Sequence, residues 1–99
     1  MSRDTTAHVG IATITIRLPP LDSMKGKRGI AKSLIARVQN KFNVSIAEIH
    51  HLDSRALLGL AVAVVSGSRA TVDAQLASVV QFMEEDRRFE VEDVATEFV

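Results

Sequence analysis

The sequence contains no cysteine, no tryptophan and no tyrosine. Without cysteine there is no disulfide framework, no thiolate metal site and no cysteine nucleophile. That usage fits a reducing compartment, and a cytoplasmic location is expected. The aromatic content is four phenylalanines, all at core-like positions. Sheets that read RNA bases stack them on exposed aromatic rings, so any nucleic-acid contact is expected to run through phosphate and shape. Long apolar runs are also lacking. Leu57 to Val65 is less than half of the roughly 20 residues a spanning helix needs. Val9 to Ile16 follows Arg3 and has the length of a signal core, but Thr13 and Thr15 interrupt it and no small-x-small cleavage site follows. Neither run is expected to enter a membrane.

What remains is a chain of 99 residues, 46% hydrophobic, with formal net charge zero. That is one domain's worth of sequence with enough apolar content for a core. A single domain over 1–99 is expected, with 1–6 flexible. The charge is unevenly spread. Residues 1–50 hold eight basic and three acidic side chains, and residues 51–99 hold four and nine. The halves carry +5 and −5, which marks either a polar binding face or mutual attraction within the fold.

Apolar periodicity gives the elements. Ala12, Ile14, Ile16 and Leu18 alternate with Thr13, Thr15 and Arg17, a strand that Pro19-Pro20 ends. Asp22 and Ser23 are helix caps. Ile30, Leu34, Val38 and Phe42 recur every four residues, with Ala31 and Ile35 widening the stripe. Gly26 and Gly29 each weaken a helix by about 1 kcal/mol relative to Ala. At 100° per residue Lys27 falls inside the apolar arc, so Lys25 to Gly29 is expected to be a loose first turn. Asn43 suits the left-handed position past the helix end. Val44 to Leu52 and Leu57 to Val65 read as strands. The second has a bulky face (Leu58, Leu60, Val62, Val64) and a small one (Gly59, Ala61, Ala63). Ser68 caps a second helix bearing Val72, Leu76, Val79, Val80 and Met83, which Arg87 or Arg88 ends. Phe89 to Val99 is a last strand whose apolar phase changes between Val91 and Val94, the mark of a bulge or of a strand contacted on both sides.

The order βαββαβ predicts an α+β, ferredoxin-like sandwich. Its four-stranded antiparallel sheet should run 4-1-3-2, with both helices on the face bearing Ile14, Ile16, Leu60 and Val62. The other face is small and uncharged except for Arg17, so a homodimer through that face or an edge strand is expected.

Strong catalytic motifs are missing. Ser66-Gly67-Ser68 lacks the GxSxG spacing of a nucleophile elbow. His51 and Asp53 form only an isolated HxD, and His50 and His51 point to opposite faces of a strand, so no metal and no cofactor are expected. Glu84-Glu85-Asp86 reads as a solvated acidic helix end, and Glu48 as a solvent-facing residue of an edge strand, with a carboxylate in a cleft as the alternative. No enzyme activity is expected. The suggestive segment is Lys25-Gly26-Lys27-Arg28-Gly29. Lys25, Arg28 and Lys32 are spaced i, i+3, i+7, so a helix aligns them, and no acidic residue lies between Ser23 and Ala47. GxxxxGK[ST] is not satisfied, so this is no P-loop. Lys25, Lys27, Arg28 and Lys32 are expected to form an electropositive patch that contacts an anion, RNA phosphate in particular. The competing reading is a solvated face, or a docking face for the chain's own acidic residues.

Ser23-Met24-Lys25-Gly26-Lys27-Arg28 resembles the SLKxKR motif of the YlxP-like family, a small bacterial domain of unknown function. Arg17-Leu18-Pro19, Phe42-Asn43-Val44-Ser45-Ile46-Ala47-Glu48 and the run from Leu58 to Ser66 resemble it too, in the family's order over nearly the whole chain. Met24 stands where Leu is common, and Gly26 and Gly29 stand where better helix formers are. The resemblance implies a ferredoxin-like fold and no established activity. Its genes often lie beside those for transcription and translation factors and ribosome maturation, which implies a role near RNA or the ribosome. The expected function is therefore a non-enzymatic accessory protein contacting RNA or a ribosomal particle. The alternative is a homo-oligomeric structural or small-ligand-binding module using the open sheet face.

Overall fold

The structure is a computed structural model that describes residues 6–99. Residues 1–5, and with them the expectation of a flexible start, lie outside the described residues. The elements are β1 (His8–Arg17), α1 (Met24–Lys41), β2 (Ser45–His50), β3 (Leu57–Ser66), α2 (Arg69–Glu84) and β4 (Glu90–Phe98). Their order across the sheet is β2-β3-β1-β4, every neighbouring pair antiparallel. Read from the other edge this is 4-1-3-2, as the apolar patterns predict.

The core forms because two periods meet. Alternation along β1 and β3 puts Ala12, Ile14, Ile16, Leu58, Leu60, Val62 and Val64 on one face, all buried. The helical period puts Ala31, Leu34 and Val38 of α1 and Val72, Leu76, Val79 and Met83 of α2 against them. Both helices thus cover one face. Gly10 of β1 sets how closely α2 approaches, since a Cβ there would lie 2.5 Å from Val72 Cγ1.

Both edge strands are bulged. Thr15 pairs with Asp93 but Ile16 with Val91, so Glu92 is the extra residue, which is how Val91 and Val94 both come to the helix side. Arg17 closes this bulge with a 2.6 Å ion pair to Glu92. Between β2 and β3, Glu48 pairs with Leu60 and His50 with Gly59, leaving Ile49 extra. The bulge carries His50 so close over Gly59 that a Cβ on residue 59 would lie 2.7 Å from His50 Cβ and 3.0 Å from its carbonyl oxygen.

Three local expectations need correction. The first turn of α1 is regular from Met24, because the Ser23 hydroxyl accepts the Gly26 N–H at 3.4 Å and Lys27 is tied down below. Asn43 is not left-handed. Phe42 leaves the helix extended (φ −126°, ψ 144°) and runs directly into β2, so no reversal is needed. Among the described residues the non-glycine residue with positive φ is His51, at 61°, where β2 turns toward β3. Finally, α2 stops at Glu84, where the Asp86 N–H turns back to the Met83 carbonyl.

The open face is small along β1 and β3, as expected, but it is not uncharged beyond Arg17. The β4 register adds Asp93 and Glu97 beside Thr15 and Ile11, and the bulge adds Glu92.

Candidate anion-binding face

Helix α1 carries six cations, and the fold treats them differently. Lys25, Arg28 and Lys32 lie on one exposed stripe, as the i, i+3, i+7 spacing requires. Among the described residues none of the three makes an ion pair. The first turn holds no acidic residue, so cations sit at the positive end of the helix dipole, where carboxylates would be the stabilising choice.

Lys27 does not join this stripe, which corrects the four-residue patch to three. It shares the arc of Ala31, Leu34 and Val38 and is 2% exposed. Its stem lies in the core, and its ammonium reaches the turn after β2. There Nζ donates to the carbonyls of His51 and of Ser54 (2.6 Å) and lies 3.5 Å from a Glu48 carboxylate oxygen. Two hydrogen bonds to carbonyls and a nearby counter-charge make the buried ammonium tolerable. The left-handed turn at His51 presents that carbonyl, which also accepts the Ser54 N–H.

Glu48 corrects a second expectation. It lies on edge strand β2 but does not face solvent. Its pairing with Leu60 puts it on the helix side, and the Lys27 ammonium holds it there with 28% of the side chain exposed. Glu48 therefore walls an open groove of about 490 Å³ between α1 and β2. Ala31, Ile35 and Ala36 form its floor, and Arg28, Lys32 and Gln39 its rim. Because Lys27 offsets the Glu48 charge, the groove's net character is set by Arg28 and Lys32.

The remaining cations of α1 are structural. Arg37 pairs with Asp86 at 2.9 Å and stacks over Phe82, and Lys41 Nζ lies 5.0 Å from the same ring. Asp86 also binds Arg88 at 2.7 Å. Its side chain is 5% exposed, so the acidic run Glu84-Glu85-Asp86 is a solvated surface only at its first two members. The Arg88 hydrogen bonds, helped by Arg37, lower the Asp86 carboxyl to about 2. Asp86 thus partners Arg37 and Arg88, and not Lys25, Arg28 or Lys32.

Among the described residues no three His, Cys, Asp or Glu side chains converge. No helix among them is long and apolar enough to cross a membrane.

Residues 9–96 match the family described as "Protein of unknown function (DUF503)". The uncharacterized protein YlxP of Bacillus subtilis (strain 168) is 37% identical over 76 residues, which cover 77% of this chain and 83% of that protein. Among solved structures, the de novo designed protein Foldit4 aligns over 92% of this chain and 96% of its own, at 13% identity and a TM-score of 0.49. The fold assignment stands on the strand order and the helix placement themselves. With a family match across nearly all of its length and a relative of this identity, the chain belongs to the YlxP-like DUF503 family.

Proposed function

We propose that this protein is a non-enzymatic accessory factor that contacts the phosphates of RNA, free or within a ribosomal particle, through Lys25, Arg28 and Lys32. One observation carries the reading. Among the described residues the three cations that share this helical stripe make no ion pair, while Glu48 and Asp86, the acids that face α1, are engaged by Lys27, Arg37 and Arg88. Cations that repel one another at a helix N-terminus are stabilised by a bound anion. The open sheet face supports phosphate contact over base reading. It presents Thr13, Thr15, Ala61 and Ala63, while Phe42, Phe82, Phe89 and Phe98 pack against or beside the core.

Reversing two of the charges, Lys25→Glu with Arg28→Glu, should weaken RNA association at every sequence tried. It should also reduce the salt slope of the binding constant by roughly two, one per lost phosphate contact. Filter binding across a salt series, with co-sedimentation of ribosomal particles, reads both. A variant that folds and co-sediments as before at low salt would end this reading.

A homo-oligomeric or small-ligand role has an observation of its own. Val65 is 68% exposed at the end of the small stripe of β3, beside Val9. If copies associate through that face, light scattering at high concentration should report twice the chain mass, and Val65→Lys should return it to one. A single-chain mass throughout would dismiss it.

A further inference from the structure

Among the described residues the sheet has two free edges, β2 and β4, and they are protected differently. β4 carries Glu90, Glu92, Asp93 and Glu97 along its nine residues, and edge charges of this kind repel added strands. β2 carries one acid, Glu48, and that acid is drawn inward to Lys27. Ser45, Ile46 and Ala47 bring neither charge nor proline to the edge. Every second residue of β2 directs its N–H and C=O away from β3, so a short row of backbone donors and acceptors stands open. The bulge at Ile49 limits the straight part of that row to Ser45–Glu48.

The groove described above lies directly beside this row. A strand laid along β2 would send alternate side chains to the helix side, over Ala31, Ile35 and Ala36 and under Arg28 and Lys32. Its intervening side chains would fall on the open face beside Ser45 and Ala47. The two cations have no acidic partner among the described residues, and a carboxylate at those alternate positions would supply one.

We infer that β2 is a docking edge for a short extended segment of a partner polypeptide that carries acidic residues at alternate positions, with small or apolar residues between. Backbone pairing supplies the attachment, and Arg28 and Lys32 supply the selectivity. The inference is independent of the RNA reading, because a nucleic acid makes no use of a strand edge. The two ligands share Arg28 and Lys32, so they exclude one another there.

The test is a selection of random dodecapeptides on the immobilised full chain, followed by titration of the enriched peptide into the isotope-labelled protein. Enriched sequences should place Asp or Glu at i and i+2. Binding should slow amide exchange within Ser45–Glu48 and give cross-strand contacts to β2. Arg28→Glu with Lys32→Glu should weaken binding roughly tenfold or more while the circular dichroism stays that of the parent. A peptide with Lys in place of its acids should not bind. No enrichment, enrichment without the acidic alternation, or protection falling on β4 or on α1 alone would overturn the inference. So would β2 protection that grows with protein concentration in the absence of peptide, since a second copy would then hold the edge.

Discussion

Lys27→Met should lower folding stability by about 3 kcal/mol, within the range for removing one partner of a buried ion pair. The methionine stem can fill the same arc beside Ala31 and Leu34, so the loss is not one of packing. What is lost is the ammonium. The Ser54 carbonyl loses its donor and the His51 carbonyl keeps only the Ser54 N–H, and an unsatisfied buried acceptor costs about 1–3 kcal/mol. Glu48 loses its counter-charge but is partly exposed and can recover water, which keeps the total at the lower end. Urea melts of parent and variant decide it, with an unchanged denaturant slope showing that the same two states are compared. A difference below about 0.5 kcal/mol, the scatter of ordinary surface changes, would mean that the ammonium is not holding the turn.

Gly59→Ala should cost about 2–3 kcal/mol, at the upper end of the range for overpacking. The atoms that a new Cβ would meet are His50 Cβ at 2.7 Å, its carbonyl oxygen at 3.0 Å and its carbonyl carbon at 3.1 Å. Two of these belong to the backbone, so no rotamer change relieves the contact, and the end of β2 must swing outward. Moving His50 moves His51, whose carbonyl then leaves the Lys27 ammonium. The two substitutions therefore disturb one turn, and the double variant Lys27→Met with Gly59→Ala should lose less than the sum of the single losses. Strict additivity in the same melts would show that the bulge and the ammonium act separately.

The fold is legible in the sequence because its signals are local and repeated. Ile14 and Ile16 alternate with Thr13 and Thr15, and Leu34 and Val38 keep helical spacing, so each element declares its buried side. Even the bulge at Glu92 is written in the apolar phase shift between Val91 and Val94. The stripe of Lys25, Arg28 and Lys32 is legible for the same reason, since helical spacing alone aligns it. Lys27 is half legible. Its place in the apolar arc points inward, but its acceptors are backbone carbonyls of His51 and Ser54, and backbone groups leave no trace in residue types. Glu48 is misread because an acid on an edge strand defaults to solvent, and the cation that draws it inward belongs to another element. Asp86 looks like its neighbours Glu84 and Glu85 until Arg37 and Arg88 are brought to it from two directions.

The Lys27 contact also bears on the order in which the chain assembles. Nζ joins the first turn of α1 to residues 24 and 27 positions further along, and those acceptors exist only once the turn between β2 and β3 has taken its left-handed shape at His51. The contact therefore closes late, after the hairpin it fastens. Interactions absent from the transition state change the rate of unfolding and leave the rate of folding nearly untouched. Losing the ammonium should steepen the escape from the native state while the chain still finds its fold at close to the parent's pace.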